Sequence, residues 1–546
     1  MNHDSRIKLW LPVIGAVIFV GGMWLGYLLA DGDTLTPGQQ KLNDIFRMID
    51  EEYVDEIDQD SLIEMTIPGL LHNLDPHSLY VPKDELERVN RDLESSFFGI
   101  GIQFQIMSDS ICVVEVISGG PAERAGVMAG DRIVAVDGKP MTGPKITNDD
   151  VFGALRGARD TQVKITVNRQ TSAKPIDFEI TRGEIPSVSV DASYMLEDNI
   201  GYIRLSKFAA NTYSEFLQAL NSLSNKGAEN YVLDLRGNTG GLLDQAILIA
   251  NEFLDPYRGI VSTKGRNQLD DANWLADGTG AFADLPLVVL MDEFSASSSE
   301  IVAGAIQDND RGLIIGRRSF GKGLVQRQIT LPDSSQLRLT VQRYYTPSGR
   351  CIQKDFTRGS NDSYETEIYD RYSTGEIFNV DSVKINTEDI FFTMGGRKVY
   401  GGGGIMPDIF VPSDTTGLTS YYFSVANAGL LQKFAYEYAD LNRAELTKAK
   451  TVDQLLGRLP SQEVLLSAFI QYAKSNGIAP RWYYINNSSK LIVNQLRALI
   501  ARDILGMNAY YQITNSVDPT VKEAISQIRK GVDATIQSSV NKKDDE

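Results

Sequence analysis

Three polar residues in the segment 294–326 have the types and the spacing of a hydrolytic centre. Ser297 belongs to a serine cluster at the start of a predicted helix, which a short apolar strand follows. Lys322 lies between two glycines, and Gln326 follows four residues later on a predicted strand, so the two side chains point to the same side. A serine at a helix N-terminus lies beside free backbone N–H groups and the positive end of the helix dipole, where it could act as a nucleophile.

Both residues of the pair also have structural explanations. Ser297 and Glu300 form an S-x-x-E capping box, which alone would account for the serine. Lys322 could be a surface lysine in a tight turn, or it could pair with Ser319 in an S-x-x-K pattern. That pattern needs a helical turn, which the surrounding glycines disfavour. To act as a base, Lys322 would need burial, because an unperturbed lysine has a pKa of about 10.4 and desolvation lowers it.

Histidine usage narrows the choice of base. The chain contains only His3, His72 and His77. A Ser-His-Asp triad or a histidine zinc site in the C-terminal four-fifths of the chain is therefore nearly excluded. We interpret His77, which follows a chain-breaking Asp-Pro, as a loop histidine bonded to backbone, because it lies outside the predicted active domain.

Composition sets the class of protein and excludes some partners. The chain has 546 residues, 42% of them hydrophobic, which predicts several globular domains. Its net charge of −18 argues against a nucleic-acid partner, which would need a basic surface. Cys112 and Cys351 lie in separate predicted domains, so we expect free thiols rather than a disulfide.

The N-terminal 30 residues have the pattern of a membrane anchor. Residues 9–30 contain no charged side chain, and a helix of this length can span a bilayer core of roughly 30 Å. Arg6 and Lys8 precede the run and acidic residues follow it, which predicts a cytoplasmic segment 1–8. We therefore expect a single-pass protein of the inner (cytoplasmic) membrane with its bulk on the periplasmic side. A cleaved signal peptide, giving a secreted form, is the alternative.

Residues 31–94 are predicted to be a helical region, and residues 95–183 change to strands of alternating polarity. The latter contain GPAERAGVMAGDRIVAVDG, which resembles a PDZ domain, and FGIGI stands where a PDZ domain has its carboxylate-binding loop. The resemblance implies a groove that takes a peptide as an added strand. Backbone N–H groups would hold the terminal carboxylate of that peptide at Gly99, Ile100, Gly101 and Ile102.

Residues 184–412 alternate between apolar strands and helices, which predicts an α/β domain. Within it, residues 355–398 form a polar stretch. Its first part, residues 355–389, carries nine acidic and three basic residues, so we expect an exposed insertion. A glycine loop at 237–241 lacks the lysine of a phosphate-binding loop, and its N–H groups would suit an oxyanion instead. Residues 413–546 are predicted to be helical.

A set of motifs in one order resembles a known family. SASSSEIVAGAIQD and SFGKGLVQ, together with LDPHSLYVP, DLRGNTGGLL, YYTPSGRCIQ and YGGGGIMPD, are similar to the carboxyl-terminal processing peptidases, also called tail-specific proteases. The resemblance covers roughly residues 38–412. It implies an α/β crotonase-like serine-peptidase core with an inserted PDZ domain. To this the chain adds the N-terminal transmembrane helix and the helical C-terminal region.

The same resemblance implies the site. Ser297 would be the nucleophile, Lys322 its general base and Gln326 the partner of the lysine. Ser298 stands where the family more often has alanine and Ser319 where it more often has threonine, and both changes are small.

The mechanism implied is acyl transfer through a serine ester, with no metal and no cofactor. Backbone N–H groups near Gly240, Gly241 and Ser298 would stabilise the oxyanion. The expected partners are protein substrates with free, apolar C-termini, and the sequence leaves a homo-oligomer open. The alternative function is a catalytically inactive PDZ scaffold that binds protein C-termini.

Overall fold

The computed structural model describes most of the chain: residues 16–22, 35–90, 96–107, 110–117, 119–143, 145–169, 172–197, 199–359, 362–383 and 388–541. The chain divides into two compact units, Met1–Leu71 and His72–Glu546. In the first unit, helix Pro37–Glu52 begins with a proline and a capping box between Thr36 and Gln39. Helix Gln59–His72 follows it and ends at the boundary with the second unit.

The transmembrane helix predicted for residues 9–30 lies mostly outside the described residues, of which only 16–22 fall in that range, as helix. Across the parts of the chain that the structure describes, no helix combines the length and the apolarity needed to cross a membrane. The anchor therefore stays a prediction.

A mostly parallel sheet forms the centre of the second unit. Only its first pair of strands is antiparallel. The central strands are continuous apolar runs, as expected for a sheet that is covered on both faces. In spatial order its strands are Val190–Glu197, Ile200–Leu205, Asn230–Asp234, Leu287–Met291, Leu313–Gly316 and Ile409–Phe410.

Helices cover both faces of this sheet. Thr212–Asn225, Leu243–Asn251 and Ser298–Asp308 share one buried apolar cluster with the strands. Pro519–Lys530 and Val532–Asn541 pack on the opposite face, so the end of the predicted helical region belongs to the core. Because the carboxyl ends of parallel strands meet at one edge, the loops that follow residues 234 and 291 lie next to each other there.

A second sheet, largely antiparallel, lies beside the first. Its strands are Leu79–Val81, Gln336–Tyr345, Gly259–Gly265 and Ala272–Leu275 in that order, and Leu324–Thr330 also pairs with Gln336–Tyr345. The prediction of a wholly helical region over 31–94 is wrong at this point. Residues 79–81 form an edge strand, and among the residues described up to 90 it is followed by a 3-10 turn Lys83–Glu85 and a short helix Leu86–Asn90.

The predicted PDZ region forms a separate antiparallel sheet with two helices, Pro121–Ala125 and Asn148–Leu155. Strands Ser96–Gly99 and Gly183–Pro186, at the start and the end of this region, pair as an antiparallel two-stranded ribbon. The sheet strands are Ile102–Met107, Ser110–Val116, Arg132–Val136, Gln162–Asn168 and Ile176–Thr181, with Lys139–Pro140 added to the third. Cys112 is buried in this sheet, and both it and Cys351 are free thiols as expected.

The polar stretch 355–398 is not simply an exposed insertion, and that prediction is wrong in part. It contains helix Asp362–Ser373, in which Tyr364 is 3% exposed and Arg371 is 2% exposed. The Arg371 side chain hydrogen-bonds to the loop that carries Lys322, and the Tyr364 hydroxyl bonds to His77, as described below. The same stretch also contains the 3-10 turn Val380–Ser382 and the start of the strand pair Ile390–Phe392 and Lys398–Tyr400. A further 3-10 turn, Gln268–Asp270, lies between strands Gly259–Gly265 and Ala272–Leu275.

The helical C-terminal region has a core of its own, built from regularly spaced apolar side chains. Its longest helix is Trp482–Leu505. The other helices are Ser420–Asn427, Leu430–Leu441, Arg443–Leu446, Val452–Leu456, Gln462–Ser475 and Met507–Asn515.

Candidate active site

Ser297 lies at the edge where strand Leu287–Met291 gives way to helix Ser298–Asp308. Its backbone has φ 54° and ψ −114°, a conformation that L residues rarely adopt and that is found mainly where a structure imposes it. An ordinary helix cap has extended backbone instead. The serine is therefore held in a strained turn, which simple capping does not require.

A cavity of about 460 Å³ opens at this turn. Ser297, Lys322 and Gln326 all contribute to its wall, so the structure brings together the three residues that the sequence singled out. Its other lining residues are Asn90, Thr239, Gly241, Leu242, Leu243, Ser298, Ile301, Leu324, Val325, Gln328, Arg338 and Tyr344.

Glu300 joins the serine turn to the lysine loop. One carboxylate oxygen accepts the N–H groups of Ser297 at 2.7 Å and Lys322 at 2.9 Å. The other accepts the N–H of Gly321 at 2.7 Å and the hydroxyl of Ser319. Full burial raises the pKa of Glu300 to about 7. The hydrogen bonds to the carboxylate favour its ionised form and oppose this rise. Its bond to Ser297 is one half of the predicted capping box, and its bonds to the lysine loop extend that role.

The amine of Lys322 is in surroundings that favour its neutral form. Burial lowers its pKa below the ordinary value, and the positive charge of Arg338 lowers it further. The negative charges of Glu300 and Asp75 oppose this shift without reversing it. Tyr344 also connects the two residues, because its hydroxyl lies within hydrogen-bond distance of the carbonyl oxygens of Ser297 and Lys322 and can donate its proton to either.

Arg371 holds the lysine loop from the other side. Its guanidinium donates to the carbonyl oxygens of Arg318 at 3.2 Å, Ser319 at 2.8 Å and Phe320 at 3.1 Å. Glu367, one turn earlier on the same helix, accepts from Arg371 at 2.7 Å. The loop that presents the lysine is thus bound through its carbonyls by Arg371 and through its amides by Glu300.

The side chains of Gln326 and His77 each form a hydrogen bond with a hydroxyl group near the cavity. The side-chain amide of Gln326 donates to Thr340 Oγ1 at 3.3 Å, and His77 Nε2 lies 2.8 Å from the hydroxyl of Tyr364. Burial, together with the positive charge of Lys322, lowers the pKa of His77 to about 3, so the imidazole is neutral. The expectation that His77 lies outside the active domain is wrong, because the imidazole is close enough to Lys322 for the charge of the lysine to lower its pKa.

The glycine loop packs directly against the serine turn. A Cβ atom on Gly240, which has φ 101°, would lie 2.7 Å from Cβ of Ser297, so no larger residue fits there. The Gly240 N–H donates to Asn238 Oδ1 at 2.9 Å, which leaves it unavailable to an oxyanion, contrary to the expectation for this residue. The N–H groups of Gly241 and Ser298 form no hydrogen bond within the described residues, and both residues line the cavity.

The PDZ region presents the expected loop with its carbonyls turned inward. The carbonyl of Ile100 accepts from Ala122 at 2.7 Å, and that of Gly101 accepts from Ile117 at 3.0 Å. Gly99 faces Gly183 in the ribbon, and Ile102 begins the strand whose Phe104 ring contacts Phe152 of helix Asn148–Leu155. The four predicted residues therefore lie where the ribbon leads into this strand, and their role in binding a peptide stays a prediction.

Several parts of this site carry no sequence signal of their function. The S-x-x-E pattern explains Glu300 only as a helix cap, and the LDPHS motif indicates no role for its Asp75. No periodicity or motif indicated Arg371 or Thr340, because both reach the site through contacts between distant segments.

Comparison with known families agrees with this architecture. Residues 199–359 match the model of peptidase family S41, and residues 112–169 match a PDZ domain. Residues 30–85 match the N-terminal domain of the activating protease CtpB, and residues 421–506 match a family of unknown function.

Individual relatives cover much of the chain. The carboxy-terminal-processing protease of Bartonella bacilliformis is 39% identical over 350 residues, which are 62% of this chain and 80% of the relative. The carboxy-terminal processing protease CtpB of Bacillus subtilis is 33% identical over 355 residues, 64% of this chain and 72% of the relative. A solved structure, the photosystem II D1 C-terminal processing protease, is 30% identical and covers 58% of this chain and 91% of its own, with a TM-score of 0.33.

Proposed function

Because this chain belongs to the carboxy-terminal processing proteases, a family of peptidases with a PDZ domain, we propose that it is a serine endopeptidase with a Ser297–Lys322 dyad. The observation that carries the proposal is that Ser297, Lys322 and Gln326 line one cavity. The lysine there has a lowered pKa and the serine has a strained backbone.

In the proposed reaction, neutral Lys322 accepts the proton of the Ser297 hydroxyl, and the serine oxygen attacks the carbonyl carbon of a peptide bond. The N–H groups of Gly241 and Ser298 stabilise the resulting oxyanion; Gly240 is left out because its N–H is already bonded. The Lys322 ammonium then protonates the leaving amine, and water releases the acyl group from Ser297. The carbonyl oxygen of Gln326 orients the amine throughout.

The proposed substrates are proteins with free, apolar C-termini, held in the PDZ groove at residues 99–102 by their terminal carboxylate. The leucine, isoleucine and valine side chains in the cavity wall suit apolar segments near the cleaved bond. We further propose that the chain is anchored by residues 9–30 and that its bulk works on the extracytoplasmic side. This follows from the charge bias around that segment.

Cleavage of an apolar-tailed protein by the full chain in detergent tests the dyad. Ser297→Ala and Lys322→Met are expected to abolish turnover. Lys207→Met is the matched control, because Lys207 is also half-buried but donates to the hydroxyl of Ser187 at 2.6 Å and does not line the cavity. Wild-type turnover in Ser297→Ala would refute the assignment. Absence of turnover in the wild type, with tail binding retained, would favour a scaffold.

A second comparison separates the PDZ role from the chemistry. Amidating the terminal carboxylate of the substrate is expected to raise its KM. The kcat for a short peptide that does not occupy the PDZ groove is expected to stay unchanged. Equal KM values for the free and the amidated tails would contradict carboxylate binding by the groove.

A further inference from the structure

A chain of hydrogen bonds leads from Gln326 in the cavity to a carboxylate far away in sequence. Gln326 and Thr340 face each other on paired strands, and the amide of Gln326 donates to Thr340 Oγ1 at 3.3 Å. Thr340 Oγ1 in turn donates to Oδ1 of Asp75 at 2.9 Å. Side chains directly opposite on neighbouring strands are close enough for such contacts, and the third residue arrives through the edge strand Leu79–Val81.

Asp75 is a well-held end point for this chain. It is 7% exposed, and its Oδ1 also accepts the N–H groups of His77 and Ser78, both at 2.9 Å. Its Oδ2 accepts the hydroxyl of Ser78 at 2.6 Å, and the same hydroxyl oxygen accepts the N–H of Thr340 at 3.1 Å. Burial acts to raise the pKa of Asp75, but these hydrogen bonds outweigh it and leave the pKa below its ordinary value, so the group is ionised near neutral pH.

The negative charge of Asp75 determines the direction of each hydrogen bond in the chain from Asp75 through Thr340 to Gln326. A carboxylate can only accept, so the single hydroxyl proton of Thr340 goes to Asp75. The hydroxyl oxygen can then only accept from Gln326, which turns the amide nitrogen of Gln326 toward Thr340. The amide oxygen of Gln326 therefore points away from Thr340 and is left free as an acceptor, which is the group needed to bind an amine.

We infer that Asp75 and Thr340 are positioning residues that fix the side-chain amide of Gln326, so that its oxygen accepts a hydrogen bond from the amine of Lys322. This rests on the proposed function, because the amine matters only if Lys322 is the base. Neither Asp75 nor Thr340 is among the residues that line the cavity, so both act through Gln326.

A double-mutant cycle on the full chain tests the inference. Thr340→Val keeps the shape and removes the hydroxyl; it is expected to lower kcat by about 10- to 100-fold with little change in KM, as a misplaced catalytic group does. Thr340→Ser, which restores the hydroxyl, should recover most of the lost kcat. In a Gln326→Ala background, Thr340→Val should have no further effect, because the group it positions is already absent.

Asp75→Asn tests the charge of Asp75 separately from its hydrogen bonds, and so separates this direct effect on Lys322 from the positioning of Gln326. The asparagine oxygen can replace Oδ1, but the negative charge that raises the pKa of Lys322 is lost. The acid limb of kcat/KM is therefore expected at lower pH than in the wild type, while the Thr340→Ser protein keeps the wild-type limb.

Two results would overturn the inference. One is a Thr340→Val effect that multiplies with Gln326→Ala, which would place Thr340 on a route independent of Gln326. The other is a wild-type kcat in Thr340→Val when Lys322→Met is inactive, which would reject the positioning role and leave the proposed dyad intact. Activity in Lys322→Met would instead reject the dyad itself.

Discussion

Replacing Glu300 by glutamine removes the charge that joins the serine turn to the lysine loop while keeping the size of the side chain. Glu300 accepts three backbone N–H groups and one hydroxyl, from Ser297, Lys322, Gly321 and Ser319. The least costly orientation of a glutamine turns its NH₂ toward Ser319, whose hydroxyl oxygen can accept. It then leaves the buried N–H of Gly321 facing another donor.

One unpaired buried N–H costs about 1–3 kcal/mol. Because the strain falls on the residue next to Lys322, we expect most of it to appear as a displaced amine and not as global unfolding. At about 1.4 kcal/mol for each factor of ten, kcat should fall by about 10- to 100-fold.

The same substitution has an electrostatic effect of defined sign. The negative charge of Glu300 raises the pKa of Lys322, so its removal lowers that pKa. The amine then stays neutral down to lower pH, and the acid limb of kcat/KM moves to lower pH. The pKa of Glu300 is itself about 7 in the wild type, so its own titration contributes to that limb and is absent from the variant.

The assay is the pH dependence of cleavage of one peptide by the wild type, Glu300→Gln and a matched control, with thermal unfolding of each protein. Glu293→Gln is the control, because Glu293 is also a buried carboxylate but binds Arg317 at 2.7 Å and the hydroxyl of Tyr372. A wild-type kcat with an unmoved acid limb in Glu300→Gln would refute the bridging role. Equal losses in both variants would reduce it to general destabilisation.

Two further predictions concern the surroundings of the lysine. Arg371→Met removes three hydrogen bonds to the carbonyls of the lysine loop and should lower kcat at least tenfold with a smaller change in KM, measured on the same peptide; an unchanged kcat would show that the loop does not need this support. Arg338→Met removes a positive charge that lowers the pKa of Lys322, so the acid limb of kcat/KM should move to higher pH, opposite to Glu300→Gln, and a shift in the same direction would contradict the electrostatic argument.

Much of the fold could be predicted from the sequence because its signals are local. The strands at 200–205 and 313–316 and helix Asn148–Leu155 follow from runs of apolar residues and turn chemistry. Edge strand Leu79–Val81 carries no such signal, because three residues are too few to show a period and only pairing with Gln336–Tyr345 makes them a strand. The acidic residues of the stretch 355–389 likewise predict an exposed segment, although Arg371 and Tyr364 within it are buried. Their burial depends on contacts with other segments, which composition does not indicate.

The sequence by itself determined which residues could do the chemistry: a serine at a helix start, a glycine-flanked lysine, a glutamine in phase with it, and no histidine beyond residue 77. It could not separate a capping serine from a strained one, because both share the S-x-x-E pattern. Only the tertiary structure decided that Ser297 is strained, that Glu300 ties it to Lys322, and that Asp75 and Arg371 reach the same place. These contacts join segments that are far apart in the chain, and their energies depend on burial, which no local pattern encodes.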